Sequence, residues 1–368
     1  MKIAQIAPLY ESIPPKFYGG TERVVSYLTE ELVRQGHEVT LFASGDSITN
    51  AELISICDKS LRLSDCVDHL SYHFVQMQEV IEQAQRFDVL HFHTDYLHFP
   101  ISKLLKYPCI TTLHGRLDLP DLQFLYKKFS DIPLISISNH QRLPLPFVNW
   151  RNTVYHGIPK DFYSLNNNEG KYFAFLGRIS PEKRVDTAIE IAKKAGIKIK
   201  IAAKIDKVDQ LYFDEKIKHL FDDPLVEYIG EINEFEKRAF LANALALLFP
   251  IDWPEPFGLV MIEAMANGTP VIAFNRGAVQ EVVDHGINGF IVRDVNEALK
   301  ALNKLHLINR KKCREVFDIR FSSEIMAKNY VRNYEQIIEH NAPKLRYIPN
   351  PDRVWISGPP DELNGDLV

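Results

Sequence analysis

Short apolar runs alternate with amphipathic segments along the first half of the chain. In residues 21–35, Val25, Leu28 and Leu32 recur at the spacing of one helical face, and Gly36 follows as a helix stop. Strands that alternate with helices indicate a parallel sheet covered on both faces. The elements predicted for this half are strands over 3–7, 38–42, 89–92, 110–113 and 134–138, and helices over 21–35 and 75–84.

The same alternation restarts after a polar stretch at residues 166–170. The chain is therefore predicted to fold as α/β, with two doubly wound domains joined near residues 155–170. The predicted domains are 1–160 and 161–323, followed by a long helix within 324–340 and a proline-rich tail over 341–368. The further predicted elements are strands over 172–176, 197–202, 226–229, 246–249 and 271–273, and helices over 181–195, 234–243, 259–266 and 324–339.

Composition narrows the class of protein only modestly. The chain has 368 residues and a formal net charge of −5, which gives no general attraction to nucleic acid. Peripheral membrane contact is left open, although no strongly basic amphipathic helix supports it. The four cysteines include no Cys-x-x-Cys pair, so neither a zinc site nor a redox motif is indicated. Scattered cysteines, no apolar run of membrane length and an N-terminus typical of a buried strand favour a cytoplasmic protein.

Two glutamates, Glu255 and Glu263, frame a turn that leads into the predicted helix 259–266. The backbone amides of Phe257, Gly258 and Leu259 are donors at a helix N-terminus, where a phosphate is favoured. At 1.5 Å rise per residue, Glu263 lies roughly 7–9 Å along the axis from such a phosphate. Carboxylates accept hydrogen bonds from paired hydroxyls, so a ligand with a polyol on each side of a phosphate is expected. A nucleotide sugar is such a ligand; the alternative is an acidic helix start with one solvated glutamate.

Two cations, Arg178 and Lys183, accompany the predicted start of the helix over 181–195. Ser180 is expected to cap this helix and Pro181 to occupy its first position. Cations oppose the helix dipole at this end, so a bound diphosphate would explain their presence. The alternative is a solvated basic turn offset by Glu182.

Other candidate residues follow predicted strands. His114 comes after the strand over 110–113, where the carboxyl ends of parallel strands border a ligand crevice; the alternative is a structural histidine. Gly19 and Gly20 would let the backbone approach an anion or a sugar closely, or else form a flexible turn. His91, His93 and His98 are candidate metal ligands, and the first two share one face of a strand, but no carboxylate or cysteine completes a convincing ligand set, so no metal site is predicted.

Five motifs, in order and spacing, resemble those of family 4 of the glycosyltransferases, and they cover most of residues 1–335. Any one of them would be weak support, whereas all five in register are strong support. The motifs are Tyr18-Gly19-Gly20-Thr21-Glu22, Thr112-Leu113-His114-Gly115, Gly177-Arg178-Ile179-Ser180-Pro181-Glu182-Lys183, the Glu-x7-Glu block from Glu255 to Glu263, and Gly268-Thr269-Pro270-Val271-Ile272-Ala273 with Gly277-Ala278 and Glu281.

The resemblance implies the GT-B fold, in which two Rossmann-like domains face each other across a cleft and a last helix crosses back onto the first domain. It also implies a retaining hexosyltransferase that needs no metal and moves a hexose, with UDP-glucose favoured, to a hydroxyl acceptor. Polysaccharide or glycoconjugate synthesis would be the setting. The implied roles are diphosphate contacts from Arg178 and Lys183, hexose contacts from Glu255 and His114, ribose contacts from Glu263, base contacts from Gly230 and Glu231, and donor or acceptor contacts from Gly19 and Gly20.

Two alternatives to this function stay open at the level of sequence. A sugar-nucleotide epimerase or a phosphorylase could use the same two-domain plan with a different acid/base set. A non-catalytic protein that binds a nucleotide sugar would need the same pocket but not the chemistry. Both glutamates and both cations are present, which disfavours decay of the site to a non-catalytic binding protein.

Overall fold

Two parallel β-sheets, of seven and six strands, form the frame of the molecule. The computed structural model describes residues 1–16, 19–105 and 107–341. The predicted α/β class with two doubly wound units is therefore confirmed. The predicted tail over 342–368 lies outside the described residues, and the predicted domain boundaries stay a prediction.

The first sheet has the order β3-β2-β1-β4-β5-β6-β7, so the direction of winding reverses between β1 and β4. Its strands pair in parallel throughout; for example, Ile3 lies opposite Val39 on one side and Val89 on the other. Its strands are β1 (Lys2–Ile6), β2 (Glu38–Ala43), β3 (Glu52–Ser55), β4 (Val89–Phe92), β5 (Cys109–Thr112), β6 (Leu134–Ser136) and β7 (Trp150–Thr153).

The second sheet has the order β10-β9-β8-β11-β12-β13 and reverses between β8 and β11. Ligands of open parallel sheets bind outside the carboxyl ends of the strands at such a reversal. In each sheet, the expected ligand site therefore lies outside the carboxyl ends of the strands, beside the reversal. The strands are β8 (Tyr172–Arg178), β9 (Ile199–Lys204), β10 (Val226–Gly230), β11 (Ala244–Phe249), β12 (Val271–Phe274) and β13 (Gly289–Val292).

Helices cover both sheets, and capping residues and glycines explain where some of them begin. Asn233 and Glu236 form a reciprocal capping box at the start of α7, and Gly258, with φ 86°, precedes α8. The helices are α1 (Gly20–Arg34), α2 (His69–Gln83), α3 (Phe99–Leu105), α4 (Pro120–Lys128), α5 (Val185–Ala195), α6 (Gln210–Tyr212), α7 (Glu234–Ala242), α8 (Leu259–Ala266), α9 (Val279–Val282), α10 (Val295–Leu302), α11 (Arg310–Arg320) and α12 (Ser323–Asn341).

The predicted helix over 181–195 is wrong at its start. Residues Pro181–Lys183 form a single 3₁₀ turn, and α5 begins only at Val185. Arg184 separates the two because it adopts the left-handed conformation, with φ 53° and ψ 51°. Ser180 makes no side-chain capping bond, so the predicted cap is also wrong.

The last helix, α12, returns to the first sheet. Its buried side chains Met326, Tyr330 and Tyr334 share an apolar core with Ile3 of β1 and Ile110 of β5. We call strands β1–β7 with α1–α4 and α12 the first lobe, and β8–β13 with α5–α11 the second lobe. Within the described ranges, no helix combines the length and apolar character needed to cross a membrane.

Candidate active site

A cavity of about 690 Å³ lies between the two lobes, at the carboxyl ends of both sheets. His114 follows β5, Arg178 ends β8 and Glu231 follows β10, so each strand end delivers one polar side chain to the wall. Of the predicted site residues, all but Gly230 line the cavity; these are Gly19, Gly20, His114, Arg178, Lys183, Glu231, Glu255, Phe257, Gly258, Leu259 and Glu263. Gly230 ends β10 beside the wall and is not part of it.

The first turns of α1 and α8 face each other across the cavity. A side-chain carbon added to Gly20 would lie only 3.7 Å from a methyl carbon of Leu259 in the other lobe. Gly258 needs its positive φ, and an added carbon would lie 2.8 Å from the terminal methyl of Met261. Backbone amides and dipoles of two helix starts therefore face one space, which favours an anion there.

Lys183 and Glu255 form an ion pair on the cavity wall. The indole Nε1 of Trp253 donates to the same carboxylate over 2.8 Å, and the Lys183 ammonium lies 5.3 Å from the indole ring centre. Both charged side chains are largely buried, with 17% and 12% of their surfaces exposed. The Glu255 carboxylate therefore has a fixed orientation and faces a cation.

Arg178 is surrounded by three carboxylates. It pairs with Glu182, and its guanidinium lies 3.6 Å from an Asp206 oxygen and 3.5 Å from an Asp209 oxygen. Lys183 also lies in the 3₁₀ turn rather than in the first turn of α5. The sequence argument that two cations stand unbalanced at a helix start is therefore wrong, although both cations do reach the cavity.

His114 is held as a neutral ring. Its Nε2 lies 2.9 Å from Nδ1 of His93, and its ring stacks on His156 with centres 5.3 Å apart. Burial lowers the pKa of His114 to about 3. Its Nδ1 is buried and finds no hydrogen-bond partner among the described residues. The ring thus lines the cavity as a neutral group, and its predicted contact with the sugar stays a prediction.

The other histidines in and just after β4 form hydrogen bonds within the first lobe. His91 contacts the Tyr334 hydroxyl over 2.7 Å and the Thr112 hydroxyl over 2.8 Å, while His98 contacts the Thr111 hydroxyl over 2.7 Å. The ring centres of His91 and His93 lie 4.0 Å apart, so the two rings do share one face of β4. Across residues 1–16, 19–105 and 107–341, no group of three or more His, Cys, Asp or Glu side chains could hold a metal ion.

Glu263 lines the cavity, and the residue as a whole is 4% exposed. Lys237 of α7 donates to its carboxylate over 2.6 Å. Burial raises the pKa of Glu263, and the Lys237 ammonium opposes that rise. Lys237 and its neighbour Glu234 were not predicted from the sequence. The available signal was their spacing of three residues on a helix that follows a strand end.

Further charged and aromatic groups on the cavity wall were not predicted as site residues from the sequence. The Arg116 guanidinium, paired with Asp118, lies 5.4 Å from the Trp253 ring centre and so links the lobes. The position of a residue in a loop does not by itself show which side chains of the other lobe it will contact. The missed residues on the wall are Glu22, Arg23, Arg62, Arg116, Lys204, Glu234, Lys237 and Trp253.

Known proteins resemble this chain in both sequence and structure. Residues 18–159 match the family described as Glycosyltransferase Family 4, and residues 159–317 match Glycosyl transferases group 1. An uncharacterized glycosyltransferase of Methanocaldococcus jannaschii is 24% identical over 341 residues, which covers 80% of this chain and 86% of that protein.

Solved structures of glycosyltransferases share the architecture. AviGT4, a glycosyltransferase involved in avilamycin A biosynthesis, has a TM-score of 0.71 at 21% identity, with 92% of this chain and 98% of that chain covered. Anabaena HepE, solved in complex with UDP and glucose, has a TM-score of 0.70 at 19% identity, with 91% and 99% covered. At these identities the likeness shows the fold, which is GT-B. The two consecutive family matches, found on a chain with two Rossmann-like lobes, show that it belongs to the family 4 glycosyltransferases.

Proposed function

We propose that this glycosyltransferase moves a hexose from a nucleotide sugar to a hydroxyl acceptor, with retention of anomeric configuration and without a metal ion. The observation that carries the proposal is the convergence of Lys183, Arg178 and the N-terminus of α8 on one cavity between the lobes. Cations and oriented amides of this kind stabilise charge that develops on a departing diphosphate. Such stabilisation is often the largest electrostatic contribution to a transfer reaction.

The carboxylates at the two ends of the cavity suit the two sugars of the donor. Glu255 sits beside the cations and would accept hydrogen bonds from hexose hydroxyls, with the neutral His114 ring on the same sugar. Glu263 would accept from the ribose hydroxyls, and Glu231, which also lines the cavity, would contact the base. UDP-glucose is the favoured donor, a choice supported by the Anabaena relative of similar fold that binds UDP and glucose.

Donor binding would exchange the internal ion pairs for contacts to the substrate. The Lys183 ammonium would turn from Glu255 toward the diphosphate, and Glu255 would then be released toward the hexose. Transfer would proceed on the front face of the sugar, with a donor phosphate oxygen taking the acceptor proton. Closure of the lobes would exclude water and limit hydrolysis of the donor.

A donor panel tests the first half of the proposal. UDP, GDP and their hexoses are compared for their effect on thermal unfolding, because a ligand at 100 times its dissociation constant stabilises the fold by about 2.7 kcal/mol. We expect UDP and UDP-glucose to give the largest shifts. A larger shift with GDP-mannose would contradict the donor assignment.

A turnover assay with UDP-glucose and a panel of saccharide acceptors tests the second half. We expect release of UDP, an α-linked product by NMR and an unchanged rate after addition of a chelator. The Glu255→Ala variant should lose transfer, whereas Glu315→Ala, at an exposed pair with Lys312, should keep it. A new nucleotide sugar without free UDP would indicate an epimerase, and undiminished activity of Glu255→Ala in cells would indicate a binding protein.

A further inference from the structure

Four charged side chains form a largely buried cluster at the ribose end of the cavity, and we call Arg23, Glu234, Lys237 and Glu263 the charge cluster. The exposed fractions of their side chains alone are 9%, 14%, 11% and 5%, in that order. All four line the cavity, and their formal charges sum to zero. Charged groups this deep persist only when they are paired and hydrogen-bonded, so the arrangement constrains each member.

Lys237 is the centre of the charge cluster. Its ammonium lies 2.6 Å from Oε1 of Glu263 and 2.8 Å from Oε2 of Glu234. Arg23 of the first lobe in turn lies 2.7 Å from Oε2 of Glu234. Tyr163 also donates to Glu234, over 2.5 Å. Two carboxylates of the second lobe therefore hold the ammonium, and Arg23 of the first lobe holds one of them in turn.

The contact with Lys237 leaves Glu263 able to bind a diol. An ionised carboxylate has about four lone-pair sites, and the ammonium occupies one oxygen. Without the cation, a carboxyl group so deeply buried would favour its neutral form, which donates at one oxygen and accepts less well. Burial opposes ionisation of Glu234 as well, but Lys237 and Arg23 outweigh it and hold the pKa of that carboxyl below its usual range.

We propose that Lys237 is a positioning residue for donor recognition: it holds Glu263 as an oriented carboxylate that distinguishes ribose from 2′-deoxyribose. The inference rests on the proposed function, in which Glu263 meets the ribose. Lys237 itself need not touch the nucleotide. Lys237 instead sets the orientation and the charge of the Glu263 carboxylate, which would contact the ribose.

The test compares the dissociation constants of UDP and 2′-deoxy-UDP by calorimetry. For the wild-type protein we expect 2′-deoxy-UDP to bind roughly 10- to 100-fold more weakly, the range for a hydrogen bond to a charged group. The Lys237→Met variant should bind the two nucleotides with nearly equal affinity, as should Glu263→Gln. A purely structural role for Lys237 would weaken the binding of both nucleotides alike. The ratio of their two dissociation constants would then be unchanged.

The matched control is Arg238→Met, the neighbouring cation on α7. The Arg238 guanidinium lies over the Phe162 ring, 4.7 Å from its centre, and is not on the cavity wall. This variant should keep the wild-type ratio. A ratio lost in both variants would overturn the assignment to Lys237.

The double variant Lys237→Met/Glu263→Gln guards against a folding defect, because removing both charges leaves neither one buried alone. If Lys237 acts through Glu263, the double variant should discriminate no worse than Glu263→Gln alone. A wild-type ratio in Lys237→Met, with the ratio lost in Glu263→Gln, overturns this inference while the proposed function stands. A wild-type ratio in Glu263→Gln overturns the ribose role as well.

Discussion

Lys183 pairs with a protein carboxylate and, in the proposed function, would also serve the phosphate of a substrate. In the structure it pairs with Glu255 and lies beside the Trp253 ring. Partial burial strengthens such contacts relative to those in water. The same position makes Lys183 available to a diphosphate bound at the start of α8.

Replacement of Lys183 by Met should therefore affect the reaction more than the fold. We expect turnover with UDP-glucose to fall by about 100- to 1,000-fold, the usual effect of removing one donor to a developing negative charge. The measurement is the initial rate of UDP release. Lys194→Met is the control, because Lys194 is exposed on α5 and pairs only locally with Glu190. Equal rates for the two variants would exclude the assigned role.

His98 gives a second prediction at this scale, on stability rather than catalysis. Burial against Phe92 lowers the pKa of His98 to about 3, whereas an unfolded chain titrates near 6.5. Between these values the unfolded state binds more protons, so the free energy of unfolding falls as the pH falls from about 6.5 toward 3. The variant His98→Gln should flatten this dependence by up to about 1.4 kcal/mol per pH unit.

The measurement for His98 is urea unfolding at pH 4, 5, 6 and 7. Glutamine keeps a polar group near the Thr111 hydroxyl, so the fold should survive the change. His219→Gln, at an exposed position, should reproduce the wild-type slope. An unchanged slope in His98→Gln would show that other groups cause the loss of stability in acid.

At the scale of elements, the start of α8 depends on Gly258. The residue combines φ 86° with close neighbours, since an added side-chain carbon would lie 3.2 Å from the Phe249 ring and closer still to Met261. Alanine there meets both backbone strain and a steric conflict. Either effect would move the amides that face the cavity.

Gly258→Ala should therefore lose stability and donor binding together. Backbone strain alone costs about 1–2 kcal/mol, and we expect a larger loss in the free energy of unfolding here. Gly230→Ala is the matched control, because Gly230 has φ 78° but no atom within 4 Å of an added carbon. Denaturant unfolding measures both variants. An equal loss in the two would show that strain, and not the tight contact, sets the cost.

Element by element, the sequence was informative where periodicity and local caps decide the outcome. The helix over 259–266 was predicted correctly because an apolar run ends at Asn267-Gly268. The start of α5 was not, because the left-handed Arg184 has no local sequence signal of the kind glycine provides. Lys237 and Arg23 were not predicted because Lys237 meets Glu263 from a separate helix and Arg23 meets Glu234 from the other lobe.

At the scale of the whole molecule, contacts between the lobes flank the cavity. On one side Arg23 meets Glu234; on the other, the Glu281 carboxylate accepts from the backbone amides of Asn139 and His140 over 2.7 Å and 2.8 Å. The Tyr155 hydroxyl also donates to Glu281, over 3.0 Å. These contacts hold the lobes at the separation that shapes the cavity.

Glu281→Ala should loosen this arrangement without touching the cations. We expect the KM for UDP-glucose to rise several-fold and the fraction of donor lost to water to increase, because a looser cleft excludes water less well. The ratio of free glucose to transferred glucose measures the effect. Glu297→Ala, at an exposed pair with Arg293, should keep the wild-type ratio. An unchanged ratio in Glu281→Ala would show that closure does not depend on this contact.

The pairing of Lys183 with Glu255 and of Arg178 with Glu182 has a consequence for the end of the catalytic cycle. In the proposed reaction, the nucleoside diphosphate left after transfer would compete for these cations with carboxylates that are tethered beside them. Tethered rivals act at a high effective concentration. The two carboxylates would thereby help to displace the nucleoside diphosphate from the cations, which would limit product inhibition.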